Sequence, residues 1–495
     1  MSGKSSLPGR VARTGHSFCL YLRMQIKWLA LVFWLVAASW SVVGQQPEAR
    51  VSVKAKIQPK WIVGPGEYQC YFIESKTGTL YGLSASADAV GAEGGTPETP
   101  LRVAVPGDRR IISVASGLHH SVAADDHGDV WAWGLIHMTQ EVTGQMGESF
   151  PLPVQVKEDS AGNPFTGVVQ LVCWANYIGV GTGAVKSDGT VWLWGNIGGG
   201  LRGNGQMGQI SRKPVEVEMP KGKKVVQLVI GECATALMGD GTVWTWGGYG
   251  RKEYLGTGSG DFKHPHQVMI PGRVKEIAGT GMFNYALTEK GVLYGWGVYS
   301  SYMGIGRGGF MASNFFIVTP RDLTTDLKLP HRIMTVSTNT VSTHVILTDS
   351  TLWGWGDNAM GCVGNGHELD YSTFKTPYAW DWAPGQLLQQ TPVRLAPGVH
   401  NFVRVFGATA AIFYCYAETA NGQLYSWGRN KAGVLGNGIM SAHPAIEATY
   451  PNSWDVTTVT EVDPFSVKEP KRVTSPYCVL HPDVYPCSEY RVRSQ

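Results

Sequence analysis

A short tryptophan-rich motif, close to Gly-x-Val-Trp-x-Trp-Gly, returns along the chain at intervals of about fifty to seventy residues. The clearest copies span 189–195 and 241–247; others lie at 128–134, 291–297, 351–356 and 422–428, and a weaker first copy at 78–83 lacks its second aromatic residue. Seven equal units predict a repeat architecture rather than one catalytic core. The motif tryptophans are Trp131, Trp133, Trp192, Trp194, Trp244, Trp246, Trp296, Trp353, Trp355 and Trp427.

One repeat shows what each unit folds into. Residues 225–230 are a β-branched apolar run, 233–238 a run of small residues, and Asp240-Gly241 a strong hairpin signal before the Trp244 strand. An outer strand containing Pro265 follows, and an edge strand tolerates proline. Four strands in each of seven units predict an all-β fold, a seven-bladed β-propeller over residues 61–475. We expect a strand or linker at 45–60 and a tail at 476–495.

The repeat resembles a known family. Residues 112–121, Ile-Ser-Val-Ala-Ser-Gly-Leu-His-His-Ser, precede Asp129-Val-Trp-Ala-Trp-Gly134, and a Leu-Gly-x-Gly turn and a Pro-x-x-Val segment recur after the motif. These residues are similar to the repeat of the regulator of chromosome condensation, and the resemblance covers roughly residues 60–475. It implies a seven-bladed propeller whose motif residues are structural. It implies no single function, because family members include nucleotide-exchange factors, ubiquitin-ligase modules and a secreted bacterial β-lactamase inhibitor.

The N-terminus indicates export. Lys27 precedes the apolar run 28–43, and small and polar residues follow at 44–46. This pattern predicts a signal peptide over 1–44, with Met24 as an alternative start. An uncleaved N-terminal anchor is the alternative, although the run is short for a spanning helix. We therefore expect a secreted, periplasmic or cell-envelope protein without other membrane contact.

The charge argues against a nucleic-acid partner. The first 44 residues carry five basic residues and no acid, so without them the formal charge falls from +3 to −2. A nearly neutral body lacks the positive surface that nucleic acid requires.

The eight cysteines contain no Cys-x-x-Cys pair, which excludes a common zinc pattern. Cys478 and Cys487 flank a short tail and are candidates for a disulfide. Cys70 and Cys415 occupy nearly the same position in the first and last repeats, which a closed ring would make neighbours. A disulfide and two buried free thiols are both open for that pair.

Function on a repeat scaffold usually lies where the repeat is interrupted. One long insertion runs from Glu368 to Gly385, and another from Ser441 to Val467 carries Tyr450, Asp455 and Phe465. Aromatic residues among acids suit a surface for a protein or a carbohydrate partner, and a loop that buries its own aromatic residues is the alternative. The predicted contact residues are Tyr371, Tyr378, Trp380, Trp382 and Trp454.

Several motifs mimic functional sites. The glycine-rich segments 203–208 and 304–309 fit Gly-x-Gly-x-x-Gly, but each is the repeat's own turn and no helix follows. His119-His120 occupies a family position for which the resemblance implies a hydrogen bond between blades. His264-Pro265-His266 could bind a metal ion, but we identify no further ligand nearby, so we predict neither a metal site nor a cofactor.

Together these features predict a binding scaffold, inhibitor-like or adhesive, rather than an enzyme. A guanine-nucleotide exchange factor for a small GTPase is one alternative, although the predicted signal peptide argues against it. The other alternative is an enzyme, a lyase or a glycan-active hydrolase, whose acids or histidines would converge at the mouth of the ring.

Overall fold

The computed structural model describes the chain from Lys60 to Val473, with gaps. The described residues are 60–66, 68–84, 90–92, 99–117, 120–134, 150–176, 179–208, 210–258, 261–280, 282–297, 303–304, 316–358, 360–367, 388–407, 413–430, 433–441, 456–468 and 471–473.

Seven antiparallel four-stranded sheets follow one another along the chain. The first four sheets are β1 to β4 (Trp61–Pro65, Gln69–Glu74, Leu80–Ser84, Leu101–Arg102), β5 to β8 (Ile111–Ser116, His120–Asp125, Val130–Gly134, Phe150–Val156), β9 to β12 (Val168–Asn176, Gly179–Lys186, Val191–Asn196, Ile210–Glu216) and β13 to β16 (Val225–Ile230, Cys233–Met238, Val243–Gly247, His266–Val268). The last three are β17 to β20 (Val274–Gly279, Phe283–Thr288, Leu293–Gly297, Ile317–Asp322), β21 to β24 (Ile333–Thr338, Ser342–Leu347, Leu352–Asp357, Leu388–Leu395) and β25, β26, β27 and β29 (Phe402–Phe406, Tyr414–Thr419, Leu424–Gly428, Val456–Val462).

The remaining elements are short. The strands β28 (Ile439–Ser441) and β30 (Lys471–Val473) pair in parallel after the third strand of blade 7. Two single-turn helices, α1 (Lys252–Leu255) and α2 (Thr324–Leu327), lie in connections between strands. None of the helices in the described residues is long and apolar enough to span a bilayer.

The first strand of each blade lies innermost, and these strands contact one another in succession around the ring. Strand β1 also contacts β25 and β26, which closes the ring between blades 7 and 1. The predicted seven-bladed β-propeller of four-stranded blades is therefore confirmed.

The second tryptophan of each motif joins two blades. Trp133, Trp194, Trp246, Trp296, Trp355 and Trp427 are completely buried. Four of them reach back to the preceding blade through the indole N–H, as Trp133 does to the Tyr71 hydroxyl at 2.9 Å and Trp246 to the Leu201 carbonyl at 2.7 Å. Burial of a large apolar surface explains why the motif repeats, and in these four copies a hydrogen bond also satisfies the indole N–H.

Polar side chains join neighbouring inner strands in a second layer. Gln170 accepts the N–H of Leu228 at 2.9 Å and donates to its carbonyl at 3.0 Å, and Gln227 bonds Ile277 of the next blade in the same way. Glu276 holds the equivalent position in blade 5 and accepts the Thr335 hydroxyl of blade 6 at 2.7 Å. Burial raises the pKa of Glu276, because the channel wall desolvates its carboxyl, whereas blades 3 and 4 carry neutral amides at this position.

The junction between blades 7 and 1 differs from the others. At five junctions the first N–H of an inner strand donates to the hairpin carbonyl of the preceding blade, as Ile111 does to Gly78 at 2.9 Å. At the closing junction Lys60 and Trp61 instead donate their N–H groups to the Glu418 carboxylate, at 2.6 and 3.0 Å. We call this junction the seam.

The C-terminal segment covers the seam and corrects one prediction. Val456–Val462, which the sequence places in an exposed insertion, is the outer strand of blade 7. Phe465 then stacks on Trp61 with ring centroids 4.7 Å apart and also meets Phe72 and Tyr81 edge-on. Phe465 thus packs against blade 1, although its side chain stays 39% exposed. Pro464 and Phe465 are called the clasp below.

Two cysteine predictions have different outcomes. Cys70 and Cys415 are both buried free thiols. Burial raises the pKa of each thiol far above its usual value, so neither is a reactive thiolate. Cys478 and Cys487 lie outside the described residues.

Candidate functional site

The two faces of the ring carry different connections. Turns between second and third strands lie on one face, and connections from first to second and from third to fourth strands lie on the other, which we call the loop face. The connections on the loop face differ in length from blade to blade, and rigid blades position them. In blades 3 and 4 the described loops of this face are 196–208, 231–232, 248–258 and 261–265.

Tyr249 is the most unusual residue of this face. Its φ of 52° places a bulky side chain in the left-handed region, which disfavours non-glycine residues. Its N–H donates to the Gly199 carbonyl of blade 3 at 3.3 Å, and its ring covers Gly199 so closely that an added Cβ would meet the ring at 2.3 Å. Strained residues held by their surroundings concentrate at functional sites.

Three further apolar residues border the loop that Tyr249 covers. Tyr249 is 37% exposed, Met207 46% and Ile210 61%, while Phe262 is half-buried against Gly200 and Gly250. The N–H of Gly200 bonds the Met207 carbonyl at 2.9 Å, and Ile210 pairs with Asn196, so these side chains border one glycine-rich loop. We call these four residues the aromatic patch. Clustered exposed apolar groups with a polar rim mark interaction surfaces.

Charged groups form the rim of the patch. Burial raises the pKa of Glu232, and the charge of Arg251 offsets only part of that effect. Desolvation, and then the charge of Glu232, raises the pKa of Tyr249, so its hydroxyl stays protonated and can donate a hydrogen bond. On the outer side of blade 4, Asp261 contacts both His264 and His266.

A buried cysteine–histidine pair elsewhere is not a catalytic dyad. The Cys415 Sγ lies 3.5 Å from His344 Nδ1, beneath Trp427. Burial raises the pKa of the Cys415 thiol and lowers the pKa of His344 to about 4, so both groups are neutral near pH 7. An activated thiolate requires the opposite shifts.

An arginine offsets the charge of a second cluster, which consists of Asp125, Asp126 and His127. Its possible ligand atoms lie close together, but His127 Nδ1 is 2.6 Å from the Arg109 guanidinium. Arg109 also lies 3.9 Å from the Asp125 carboxylate, which accepts the Trp131 indole N–H. A fixed guanidinium therefore takes the place that a cation would need.

The inner strands give little support to an active site in the channel. The second residue of the inner strand is apolar in six blades and is Lys275 in blade 5. At this position Val169 and Val226 are about half exposed. In six blades this residue lies at a bulge of the strand. Lys275 is the only acid or base at these seven positions, so they do not supply the converging groups that the enzyme alternative requires. The seven residues are Ile62, Ile112, Val169, Val226, Lys275, Met334 and Val403.

The predicted contact residues Tyr371, Tyr378, Trp380, Trp382 and Trp454 lie outside the described residues. His119 also lies outside them, but His120 Nε2 contacts Thr182 of blade 3 at 3.2 Å, so the expected bond between blades is confirmed. The segment 203–208 is a turn without a helix, as predicted. Sequence reasoning missed Tyr249, although an aromatic residue between Gly248 and Gly250 was a usable signal.

The prediction about His264-Pro265-His266 contained an error. We identified no further ligand nearby in the sequence, yet Asp261 stands three residues before His264. Its Oδ2 atom lies 3.2 Å from His264 Nδ1 and 2.8 Å from His266 Nε2.

Comparison with known proteins agrees with the repeat and the fold. Residues 111–135 match the regulator of chromosome condensation (RCC1) repeat. The chain is 26% identical over 360 residues to the ultraviolet-B receptor UVR8 of Arabidopsis thaliana, covering 69% of this chain and 70% of the receptor. It is also 26% identical over 332 residues to the human E3 ubiquitin-protein ligase HERC2, covering 63% of this chain but 6% of HERC2.

A solved structure shows the same fold. Prp20p of Saccharomyces cerevisiae, described with its binding properties to Gsp1p and histones, matches with a TM-score of 0.56 at 23% identity, covering 77% of this chain and 84% of Prp20p. These relatives are eukaryotic, so they lend no support to the secreted bacterial type of member. Taken together, the matches and the seven described blades show a seven-bladed propeller in which residues 111–135 match the regulator of chromosome condensation repeat.

Proposed function

We propose that this propeller is a scaffold that binds a protein partner through the aromatic patch on its loop face. The observation that carries the proposal is Tyr249, an exposed tyrosine that adjacent blades hold in a strained backbone conformation beside exposed Met207 and Ile210. Tyrosine and arginine dominate binding energy at protein interfaces, and both are present here as Tyr249 and Arg251. A rigid ring lowers the entropy lost on binding.

The comparisons support a protein partner in general terms. Prp20p is described with its binding properties to Gsp1p and histones, and the same yeast protein, also called RCC1, has been solved bound to Kap60. Nucleotide exchange on a small GTPase is therefore the alternative form of this function.

A photo-crosslinking amino acid placed at Tyr249 tests the proposal in cells of the native host. The matched control carries the same amino acid at Met269, which is 75% exposed and lies in the connection from blade 4 to blade 5, away from the patch. We expect a protein adduct from position 249 that disappears in the M207D/I210D variant. Equal adducts from both positions, or no adduct from either, would contradict the proposal. If the adduct contains a small GTPase, release of labelled GDP from that GTPase by the propeller would identify the exchange-factor alternative.

We further propose that residues 1–44 direct the chain into a secretory or envelope compartment. The apolar run 28–43 after Lys27 supports this route. Sequencing the N-terminus of the purified native protein tests it. A new N-terminus near Gln45 is expected, whereas an intact Met1 on a protein that does not sediment with membranes would argue for the intracellular exchange-factor alternative.

A further inference from the structure

A cavity of about 350 Å³ lies at the junction of blades 1 and 2, on the face of the ring opposite the loop face. It opens where the hairpin turn 75–79 of blade 1 meets the connection 103–110 that leads to blade 2. The binding function proposed above does not use this cavity. Among the described residues that line it, the charged ones are Arg102, Arg109, Arg110 and Asp108.

We propose that this cavity binds a small organic ligand through a phosphate group. Three guanidinium groups and one carboxylate give the lining a net positive charge. A phosphate monoester carries a charge of about −1.5 to −2 near pH 7, so the ligand and the lining are complementary. The hydroxyl groups of Thr77 and Thr79 add hydrogen-bonding groups, and the half-buried Tyr81 and Val105 can contact the organic part.

Two of the arginines are fixed by groups outside the cavity. The Arg110 guanidinium donates to the Lys76 carbonyl at 2.6 Å and to the Ser75 carbonyl at 2.7 Å, which clamps it to the hairpin of blade 1. Arg109 is held beside His127, and acids of the blade 2 hairpin offset part of its charge. These two arginines supply a positive field at one wall of the cavity, and Arg102 is the group that can turn toward a ligand.

Arg102 is held only by an ion pair with Asp108. The two side chains are 64% and 85% exposed, so water screens the pair and no packing locks it. Gly107 and Asp108 have left-handed φ angles of 83° and 49°, and this turn directs the carboxylate back to the end of β4. Arginine binds carboxylate and phosphate oxygens in the same way. The Asp108 carboxylate therefore occupies the place of an anionic ligand, and a phosphate group would displace it.

Isothermal titration of the full chain with phenyl phosphate, at pH 7.5 and low ionic strength, tests the site. We expect one ligand to bind with a Kd of about 1 mM or tighter. Arg102→Gln should weaken binding at least about tenfold, because a charge-assisted hydrogen bond to the phosphate is lost. Asp108→Asn should strengthen binding at least about threefold, because it removes the competing carboxylate. Opposite effects from the two partners of one ion pair would not arise if the pair only supported the fold.

Arg321→Gln is the matched control. Arg321 lies in the outer strand of blade 5 and pairs with Asp326 of the following connection at 2.7 Å, as Arg102 pairs with Asp108 in blade 1. Arg321 does not line the cavity, so R321Q should bind phenyl phosphate as the wild type does. Phenol, which lacks the phosphate group, should not bind.

Thermal unfolding shows whether each variant is folded, and an exposed ion pair should contribute little to stability. The proposal is overturned if the wild type takes up no phenyl phosphate at about ten times the expected Kd. Equal binding by R102Q, or no gain in D108N, would also contradict it. Crosslinking from Tyr249 on the loop face does not depend on this cavity, so the two proposals fail separately.

Discussion

The Glu418 carboxylate accepts the backbone N–H of Trp61 at 3.0 Å, across the only junction that the polypeptide does not connect directly. In the six other blades the equivalent position of the second strand, opposite the first residue of the third strand, is apolar. A carboxylate stands there only in blade 7, opposite Leu424. The Arg404 guanidinium of the same blade donates to the Trp61 carbonyl at 3.1 Å. At the seam, the side chains of Glu418 and Arg404 therefore make the link that the polypeptide itself makes at the other junctions.

Replacing Glu418 with leucine should weaken the seam. The N–H groups of Lys60 and Trp61 would lose their acceptor, and a buried donor without a partner costs about 1–3 kcal/mol. Hydrogen exchange of β1 measures the effect, and faster exchange there than in β13 is expected. Unchanged exchange in β1 would show that other contacts close the ring.

Replacing Glu418 with glutamine should remove a pH dependence. Burial raises the pKa of Glu418 above its unfolded value, and bonds from Trp61 and Lys60 and the charge of Arg404 offset this only in part. The folded state therefore binds the proton more tightly, so this contribution to stability is complete below about pH 4.5 and is lost as pH rises through the folded pKa. Denaturant unfolding of the wild type and E418Q should show the wild type losing stability relative to E418Q as pH rises from 4 to 7. A constant difference over that range would contradict the shift.

Phe465→Ala should destabilise the propeller by about 1–2 kcal/mol, because the Phe465 side chain buries only part of its area against Trp61 and Tyr81. Phe316→Ala is the control, since Phe316 is 50% exposed compared with 39% for Phe465. Urea unfolding measures both variants. Equal losses in the two variants would mean that the clasp adds nothing beyond an ordinary surface aromatic residue.

Placing a tryptophan at Leu83, where the first motif lacks its second aromatic residue, should not raise the stability of the fold. Gly364 of blade 6 packs against Trp427 of blade 7, whereas Gly436 of blade 7 faces Pro464, at 2.6 Å from an added Cβ. The clasp thus occupies the side of blade 1 where other blades carry an indole, and Leu83 fills the rest. Leu83→Trp should lower stability by about 1–3 kcal/mol through overpacking. A rise in melting temperature would show that the space is open.

His344 should make the fold sensitive to acid. Burial lowers its pKa to about 4, partly offset by contacts with the Val363 and Cys362 backbone. Its contribution to stability is complete above about pH 6.5 and is lost as pH falls toward 4. His344→Gln should flatten this acid limb in thermal unfolding, while His367→Gln at an exposed position should not. An identical acid limb in H344Q would assign the loss to other groups.

Changing Trp380 and Trp382 together to alanine should abolish partner binding and leave the melting temperature nearly unchanged. The reason is that aromatic residues in an insertion can contact a partner without supporting the blades. Co-precipitation of the partner identified by crosslinking at position 249 measures binding. A large drop in melting temperature would instead place both tryptophans in the core.

The sequence by itself determined the blades. Residues such as Trp246 and the Asp240-Gly241 turn recur with local strand and hairpin signals, and local signals are enough when every unit repeats the same packing. It also correctly predicted that His120 joins two blades, because that bond belongs to the repeat.

Only the tertiary structure decided what happens where the repeat breaks. Phe465 belongs to an insertion that the sequence assigned to a binding surface, yet its ring stacks on Trp61, some four hundred residues earlier in the chain. The contacts of Glu418 and of the strained Tyr249 depend on which segments the ring brings together. Closing a ring creates contacts between residues distant in sequence, and no local pattern records which side chain will satisfy the groups left at the seam.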